Sequence, residues 1–437
     1  MPSTSHDILE RFRLGYGKDI DLTLRPAYRE LLQKLGDPQK HLPPVFHIAG
    51  TNGKGSTCAF LRSMLEAAGY KVHVYTSPHL VRFHERIRVA GKLIAEAELT
   101  AILEECERLA TPGGVSYFEV STAAALAAFA RYPADFTILE TGLGGRLDAT
   151  NVVEKPLATI ITRLSYDHRE YLGDTLAQIA GEKAGIMREA VPCFTAQQPD
   201  DESRKALKDA SEKIRVALIS GGEGWKVTPT DSGFQFKDAT RALTLPLPAL
   251  PGEHQIQNAG LAIAALSVLK KPLTEEEIKR GLQNVQWPAR LQKLEQGKLA
   301  EELPQGWELW LDGGHNDSAG EVLAAQAERW KKADNKPLLI VIGMLTTKKP
   351  EEFLRPLLPY ITGGGSITIP GEPLSFSADK LADIMRDLGI QYVMPFASLD
   401  DAVGMTAIMS SSPMRVLICG SLYLAGHALA ENGTQVS

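Results

Sequence analysis

Cysteine is scarce in this 437-residue chain, and its four cysteines are far apart. Cys58, Cys106, Cys193 and Cys419 form no CxxC pair, and none lies near a histidine at zinc-finger spacing. We therefore expect neither a disulfide framework nor a structural metal site built on cysteine.

Basic charge is not in excess either. The chain has 47 Lys and Arg against 53 Asp and Glu, a formal net charge of −6, whereas nucleic-acid binders carry basic patches. The longest run of small apolar residues, AAALAAFA at 123–130, is too short to cross a bilayer, and the first residues lack the pattern of a signal peptide. The sequence thus predicts a cytoplasmic protein that acts on small molecules, without nucleic-acid or membrane partners.

Short apolar segments alternate with helical ones along most of the chain. Strands are predicted at 45–49, 71–75, 135–140 and 157–164. A helix is predicted from about Ser56, because apolar residues recur there at helical spacing. This alternation indicates an α/β fold with right-handed βαβ units and a mostly parallel sheet. Short Gly-, Thr- and Pro-rich strand candidates at 216–247 suggest an antiparallel edge or subdomain.

The alternation restarts after a polar segment at 291–306, which lacks a clean period and is predicted to be a linker. Further strands are predicted at 308–312, 337–345, 366–370 and 415–420, with a helix near 318–331. We therefore expect an α/β domain at 1–290 and a smaller, doubly wound, Rossmann-like domain at 307–437.

The first strand runs into the sequence AGTNGKGST. Its glycines allow backbone N–H groups to turn toward an anion, and the helix that follows directs its positive N-terminus to the same place. Lys54 can neutralise nucleotide phosphates, and Ser56 or Thr57 can reach a magnesium ion. The spacing departs from GxxxxGK[ST], because Ile48 occupies the first glycine position and Gly55 separates the lysine from the serine. The alternative, an ordinary glycine-rich corner, seldom combines lysine with adjacent hydroxyls.

Charged residues follow two further strands, at the edge where open α/β sheets bind ligands. Glu140 ends one strand, and the glycine-rich loop after it carries Asp148 and Asn151. A solvated strand-end carboxylate is the ordinary alternative, but Glu140 there would suit a metal that bridges phosphates. Asp167 and His168 follow the next strand, where the histidine can be structural or a metal ligand.

Lys183 lies among small and apolar residues in the helical sequence IAGEKAGIM. A surface lysine is the ordinary alternative. An apolar environment, however, makes a lysine easier to deprotonate, and the neutral amine can then react covalently.

Together these segments resemble the folylpolyglutamate synthase/dihydrofolate synthase family of Mur-type amide ligases, in its bacterial bifunctional form. The blocks that carry the resemblance are AGTNGKGST, YTSPHLVRFHERIRV, YFEVSTAAALAAF, LETGLGGRLDATN, DHREYLGDT, GEKAGI, LDGGHN and CGSLYLAG. The resemblance implies a P-loop central domain and a C-terminal domain that binds glutamate. It implies that ATP phosphorylates a carboxylate and that the amine of L-glutamate captures the acyl phosphate. Dihydropteroate and tetrahydrofolate would be the acceptors, and we take the enzyme to be a monomer.

The resemblance also assigns roles to residues. The catalytic set would be Lys54, Glu140, His168 and Lys183, the last as a carbamate. Two magnesium ions would be held by Ser56, Ser77, Glu140, His168 and the carbamate of Lys183. ATP would contact Thr51, Asn52, Gly53, Lys54, Gly55, Ser56, Thr57, Asn258, Arg290, Asp312 and His315. The substrate would contact Ser77, Pro78, His79, Arg82, Phe118, Asp148, Ala149 and Ser421.

The segment SPHLVRFHERIRV favours the bifunctional form, and its Arg82, Arg86 and Arg88 could attract carboxylate-bearing substrates or simply be solvated. A monofunctional folylpolyglutamate synthase remains the alternative. A cell-wall Mur ligase is less favoured, because fewer than 50 residues precede the glycine loop. A GTPase-type switch would need an NKxD motif, which is missing. The segment GMLTTKKP also lacks the aspartates that often follow GML in the family.

Overall fold

The computed structural model describes residues 4–16, 26–408 and 412–435. The chain divides into a first compact unit, Met1–Ala249 with Gln255–Gln286, and a second, Leu250–His254 with Trp287–Ser437. Each unit is built around its own parallel-rich sheet. Within the described residues, no helix combines the length and the apolar character that a membrane span requires.

The main sheet of the first unit has eight strands. They are β1 (Val45–Ala49), β2 (Val72–Tyr75), β3 (Ile87–Val89), β4 (Lys92–Leu93), β5 (Phe136–Glu140), β6 (Ala158–Ile161), β7 (Cys193–Thr195) and β8 (Leu218–Ser220). Their spatial order is β4-β3-β2-β5-β1-β6-β7-β8, with antiparallel pairing only where β3 and β4 form one edge. The central strands are almost entirely buried, which explains their nearly continuous apolar sequences. The predicted parallel sheet is confirmed.

Helices pack against this sheet through apolar clusters. They are α1 (Ser5–Tyr16), α2 (Pro26–Lys34), α3 (Lys54–Ala67), α4 (Glu96–Leu109), α5 (Tyr117–Arg131), α6 (Arg169–Leu172), α7 (Leu176–Ala184), α8 (Asp201–Lys213), α9 (Glu253–Ala265) and α10 (Glu275–Asn284). One cluster joins Tyr28 and Phe129 to the strand residue Leu139, and another joins Leu207 to Ile161. The sheet is thereby held rigid beneath the loops that leave its strands.

A small antiparallel sheet follows β8. Its strands are β9 (Trp225–Thr230), β10 (Gly233–Asp238) and β11 (Ala242–Pro246). The antiparallel subdomain suggested at 216–247 is confirmed for these three strands, whereas β8 extends the main sheet in parallel with β7.

The second unit contains a six-stranded sheet in which only one edge pair is antiparallel. Its elements are β12 (Gln292–Leu294), α11 (Lys298–Glu301), β13 (Glu308–Leu311), α12 (Asp317–Ala333), β14 (Leu338–Ile342), α13 (Pro350–Leu354), β15 (Ile361–Ile367), α14 (Ala378–Asp387), β16 (Val393–Phe396), α15 (Leu399–Ile408), β17 (Arg415–Cys419) and α16 (Leu422–Glu431). The strand order is β12-β13-β17-β14-β15-β16. The doubly wound pattern predicted here is confirmed.

Two expectations differ from the structure. The polar segment 291–306 is not an unstructured connection, because β12 and α11 lie within it and β12 pairs with β13. The strand expected at 366–370 begins earlier, at Ile361, and includes three glycines. A Cβ atom on Gly364 would overlap the carbonyl oxygen of Ile340, so glycine serves close packing here rather than breaking the strand.

Candidate active site

The loop after β1 is anchored to the segment after β6. The N–H groups of Thr51 and Asn52 both donate to the carbonyl of Arg163, at 3.1 Å each. The Thr51 hydroxyl donates to the carbonyl of Ser165 at 3.1 Å, and the Asn52 side chain donates to the Ser165 hydroxyl at 3.2 Å. These contacts fix the glycine loop at the carboxyl edge of the sheet.

Helix α3 begins at Lys54, two residues earlier than predicted. Its N-cap residue, Gly53, has a φ of 88° and provides no side-chain cap, so the first-turn N–H groups point out of the helix end. A Cβ atom on Gly53 would lie 2.5 Å from the amide oxygen of Asn258. The structure therefore places Asn258 against the glycine loop and requires glycine at position 53.

Two lysines meet at the carbonyl oxygen of Gly50. The Lys54 ammonium donates to it at 3.2 Å and to the carbonyl of Thr51 at 3.3 Å. The ammonium of Lys183, in the last turn of α7, donates to the same Gly50 oxygen at 2.9 Å. Burial, followed by the positive charge of Lys54, lowers the pKa of Lys183 to about 7. A large fraction of Lys183 is therefore the neutral amine near neutral pH.

Buried hydroxyl groups lie in the first turn of α3. Ser56 and Thr57 are almost inaccessible to solvent. The Thr57 hydroxyl has no hydrogen-bond partner within the part of the chain that the structure describes. Buried hydroxyls are normally bonded, so this one is suited to a ligand oxygen at the glycine loop.

Glu140 ends β5, beside the strand that leads into the glycine loop. It is paired in register with Ile48 of β1, and the next N–H, that of Thr141, donates to the Ile48 carbonyl at 2.9 Å. The glutamate is only 4% exposed. Its carboxylate is therefore held at the same sheet edge as Lys54.

His168 follows β6, on the other side of β1. It adopts a left-handed backbone conformation, with a φ of 50°, immediately before α6. Its Nε2 atom lies 3.9 Å from the carboxylate of Asp167, and the imidazole is 37% exposed. Ser77 follows β2, which pairs with β5. Four adjacent strands, β2, β5, β1 and β6, thus lead to the predicted residues: Glu140 ends β5, and Ser77, Lys54 and His168 follow β2, β1 and β6.

The glycine-rich loop 141–151 folds around Asp148. One oxygen of this carboxylate accepts from the N–H groups of Gly142 and Leu143, at 2.9 Å each, and the other from the N–H and hydroxyl of Thr150, at 2.9 and 2.6 Å. A carboxylate has about four acceptor positions, so the predicted substrate contact of Asp148 would compete with bonds that shape its own loop. The carbonyl of Ala149 accepts from the Tyr28 hydroxyl at 2.9 Å.

An aromatic ring covers this loop. A Cβ atom on Gly142 would overlap the ring of Phe118 from α5, and the ring centroid of Tyr75 is 6.1 Å from that of Phe118. Phe118 is therefore positioned above the backbone that directly follows Glu140.

The segment 77–88 differs from expectation in its arginines. Arg86 is buried, donates through Nε to Nδ1 of His79 at 2.9 Å, and lies 5.4 Å above the ring of Phe83. Arg88 donates to the carbonyl of Gly91 at 3.2 Å. Neither guanidinium is thus placed to attract substrate from solvent, because both hold the segment's own fold. Arg82 is exposed, and Pro78 and His79 lie between it and Ser77.

The second unit gathers its own predicted residues at one sheet edge. The buried carboxylate of Asp312 accepts from the N–H groups of Leu291 at 2.8 Å and Gly314 at 2.7 Å. Burial raises its pKa, and the charge of Arg290 opposes that rise. His315 donates through Nδ1 to the carbonyl of Gly313 at 2.9 Å. These bonds fix the segments that carry Arg290 and His315.

Ser421 lies at the neighbouring strand end. It follows β17 and caps α16, accepting from the N–H of Tyr423 at 3.1 Å. The preceding N–H, that of Gly420, donates to the carbonyl of Gly314 at 3.0 Å. The predicted residues Arg290, Asp312, His315 and Ser421 are therefore brought together within the second unit.

Comparison with known proteins gives the family. Residues 48–266 match the Mur ligase middle domain. The chain is 35% identical over 415 residues to the dihydrofolate synthase/folylpolyglutamate synthase of Escherichia coli. The match covers 95% of this chain and 92% of that protein. The chain belongs to the dihydrofolate synthase/folylpolyglutamate synthase family. As a family member it is a ligase of the Mur type, as the resemblance implied.

Solved structures of this ligase family share the fold. Escherichia coli FolC in complex with DHPP and ADP superposes with a TM-score of 0.85 at 32% identity, over 98% of this chain and 97% of that chain. The bifunctional enzyme of Yersinia pestis complexed with AMPPNP and Mn ion gives 0.85 at 31% identity, over 98% of both chains.

The sequence patterns did not indicate two residues that hold the glycine-rich loop 141–151, His47 and Arg188. His47 was treated only as part of a strand, yet its imidazole contacts the hydroxyl of Thr150 at 2.8 Å. Arg188 donates to the side-chain oxygen of Asn151 at 2.6 Å and joins the glycine-rich loop to the end of α7. The polar His47 in an otherwise apolar strand was the available signal.

Proposed function

We propose that this protein joins L-glutamate to dihydropteroate and to the γ-carboxyl of reduced folates, using ATP and an acyl-phosphate intermediate. The observation that carries the proposal is that Glu140 ends β5 while Lys54 and His168 lie on the segments that leave β1 and β6, three neighbouring strands of one sheet. Phosphate-binding and metal-binding groups converge at such an edge. We further propose that it works as a monomer in the cytoplasm, where ATP and glutamate are abundant.

ATP binds at the glycine loop in this proposal. The N–H groups in the first turn of α3 receive phosphate oxygens, and the positive end of the helix adds to the attraction. Lys54, bent over the loop by its bonds to Gly50 and Thr51, neutralises phosphate charge. Asn258 lies close enough to Gly53 to limit the nucleotide on that side.

The residues present fit two magnesium ions that are completed by phosphate. No group of three or more His, Cys, Asp or Glu side chains is arranged for a metal in the described ranges. Magnesium, however, binds through one or two carboxylates together with substrate phosphates, and Glu140, Ser56, Ser77 and His168 supply that kind of partial set. When bound, the ions neutralise the charge that develops on the transferring phosphoryl group.

Lys183 fits the carbamate expected from the family resemblance. Its amine is buried, is next to a second lysine, and donates to the same backbone oxygen as that lysine. Only a neutral amine attacks carbon dioxide, and the lowered pKa supplies it near pH 7. The nitrogen–carbon bond forms as one proton leaves the amine. A carbamate then replaces a buried cation by an anion near Lys54.

The bond changes follow from this arrangement. An acceptor carboxylate oxygen attacks the γ-phosphorus, and the bond from that phosphorus to the ADP oxygen breaks. The glutamate ammonium loses one proton, and the neutral amine then attacks the activated carbon. As the carbon–oxygen bond to phosphate breaks, the nitrogen gives up a second proton, which leaves with hydrogen phosphate. The chain's residues bind and orient these reactants, which is the main contribution of the protein to phosphoryl transfer.

The second unit contributes the remaining contacts in this proposal. Asp312 keeps its carboxylate on the N–H groups of Leu291 and Gly314. These bonds fix the segments that carry Arg290 and His315, the residues of this unit to which the family resemblance gives a nucleotide contact. Ser421, at the end of β17, offers a contact for glutamate.

One assay tests the proposal and separates it from the monofunctional alternative. ADP release is measured with dihydropteroate or tetrahydrofolate, each with and without L-glutamate, and the product mass is recorded. We expect ADP and an added glutamate with both acceptors, and a Lys54→Met variant as the inactive control. Glutamate-dependent turnover with tetrahydrofolate but not with dihydropteroate would establish the monofunctional form. ADP release that needs neither glutamate nor acceptor would refute the ligase.

A further inference from the structure

We infer that His47 is a positioning residue for the acceptor substrate: through Thr150 and Asp148 it holds the loop 141–151 against β1. The inference deepens the proposed function and rests on it for the kinetic consequences alone. The hydrogen-bond chain itself is a property of the folded protein.

The chain is short and buried from end to end. His47 is 1% exposed, Thr150 0% and Asp148 4%. The Nε2 atom of His47 lies 2.8 Å from the Thr150 hydroxyl, which lies 2.6 Å from one oxygen of Asp148. The other oxygen of Asp148 accepts from the N–H groups of Gly142 and Leu143. One buried path thus connects the central strand to the backbone two residues beyond Glu140.

The direction of the bonds follows from the number of protons. A hydroxyl has one proton, and that of Thr150 is given to the Asp148 carboxylate. The hydroxyl must therefore accept from His47, so the imidazole carries its proton on Nε2. Burial keeps the imidazole neutral by lowering its pKa to about 3. Its Nδ1 atom has no hydrogen-bond partner among the described residues. The contact of His47 with the loop is therefore made through Nε2.

The loop held in this way touches several parts of the site. Glu140 immediately precedes it, and Gly142 lies beneath the ring of Phe118. A Cβ atom on Gly145 would come 3.0 Å from the carbonyl oxygen of Lys183, so the loop also packs against the end of α7. Loss of the His47 proton would leave the Thr150 hydroxyl without its donor and loosen its hold on Asp148. The loop, which carries the predicted substrate contacts Asp148 and Ala149, would then lose its fixed position.

Three variants separate positioning from packing. His47→Leu removes the donor and keeps an apolar side chain of similar bulk, whereas His47→Gln keeps an N–H of comparable reach. His73→Leu is the matched control, because His73 is also buried and lies in the same sheet, on β2, which β5 separates from β1. Its ring contacts the carbonyl of Tyr132 and the N–H of Ala90, both at 3.0 Å and neither in loop 141–151.

Two readouts are measured on the full-length protein. Hydrogen–deuterium exchange of peptides that span 141–151 is followed without ligands. The KM values for ATP and for dihydropteroate are then determined separately. For His47→Leu we expect exchange about tenfold faster in this loop and an acceptor KM raised about tenfold, with the ATP KM within about twofold of wild type. His47→Gln should restore most of both, and His73→Leu should leave the loop unchanged.

Specific outcomes would overturn the inference. It fails if His47→Leu exchanges and turns over like the wild type, or if His47→Gln is as impaired as His47→Leu. It also fails if nitrogen NMR of the wild type finds the His47 proton on Nδ1. If His47→Leu does not fold, Thr150→Val breaks the same chain at its middle member, with Thr150→Ser as its control. A wild type that ligates no glutamate would end the proposed function, while the exchange pattern would still decide the role of His47.

Discussion

Replacing Lys183 by methionine should make the protein more stable and inactive at once. Lys183→Met keeps a side chain of similar length but removes the buried amine that donates to the Gly50 carbonyl. The pKa of this amine falls from 10.5 to about 7 on folding, chiefly through burial. At about 1.4 kcal/mol per pH unit, the charged amine costs the folded protein about 4–5 kcal/mol. Lys183→Met also loses the hydrogen bond to Gly50, which lowers its stability by about 1–2 kcal/mol and offsets part of the gain.

The sign of the pH dependence follows directly. Because the pKa of Lys183 is lower in the folded state, the unfolded chain binds the proton more tightly. The cost is therefore complete below about pH 7, decreases as the pH rises toward 10.5, and disappears above that value. We expect the stability advantage of Lys183→Met to be about 2–4 kcal/mol at pH 6 and to vanish near pH 10.

The assay combines urea unfolding with turnover. Unfolding midpoints of wild type and Lys183→Met are compared at pH 6, 8 and 10 in buffers free of carbon dioxide, and again with bicarbonate at pH 8. Bicarbonate should stabilise the wild type and leave Lys183→Met unchanged, while the variant loses at least about 100-fold in turnover. Lys54→Met is the matched control: it should lose turnover while bicarbonate still stabilises it, by less than the wild type because the cation near the carbamate is gone. Full turnover of Lys183→Met, or equal midpoints at pH 6, would refute the reasoning.

Three further changes test other parts of the structure. Glu140→Gln should raise the magnesium concentration for half-maximal activity at least about tenfold; an unchanged magnesium titration would remove Glu140 from the metal site. Gly53→Ala should raise the ATP KM about tenfold, because its Cβ atom would lie 2.5 Å from the Asn258 oxygen, and a normal ATP titration would contradict this. In the second unit, burial raises the pKa of Glu308, but hydrogen bonds, first that from Arg415, outweigh it and lower the pKa to about 2. Glu308 thus stabilises the fold above about pH 4.5 and loses this contribution as the pH falls toward 2. Glu308→Gln should lower the free energy of unfolding by about 1–3 kcal/mol at pH 7 and by less near pH 2.5. Urea unfolding followed by tryptophan fluorescence measures this loss. An equal loss at both pH values would exclude the ion pairs of Glu308 as its source.

The sheet edge at which several candidate residues lie could be predicted, because parallel strands end at the same edge of a sheet. Glu140 ends an apolar strand, and Lys54 and His168 lie on segments that follow two others, so placing all three at one sheet edge required only the sheet type and not the strand order. The order itself, with β5 between β2 and β1, depends on packing between distant segments and was not readable from local patterns. The family resemblance assigned nucleotide contacts to residues such as Asn258 and Arg290, which periodicity alone would have passed over, and these assignments stay predictions.

Tertiary contacts explain the expectations that were wrong. Arg86 and Arg88 have the composition of a solvated basic segment, yet they bond within it, because His79 and the Gly91 carbonyl are within reach. The segment 291–306 has no helical or strand period, because β12 is a three-residue edge strand that is stabilised by pairing with β13. Short elements of this kind are defined by their partners rather than by their own sequence.

The single carbonyl of Gly50 makes two amines interdependent. Two cations bonded to one oxygen repel each other, so removing the charge from either tightens the bond of the other. An anionic adduct on Lys183 would turn that repulsion into attraction and hold the Lys54 ammonium in place for the nucleotide phosphates. The supply of dissolved inorganic carbon would then set how many molecules are ready to react, which couples catalytic competence to a gas that is neither substrate nor product.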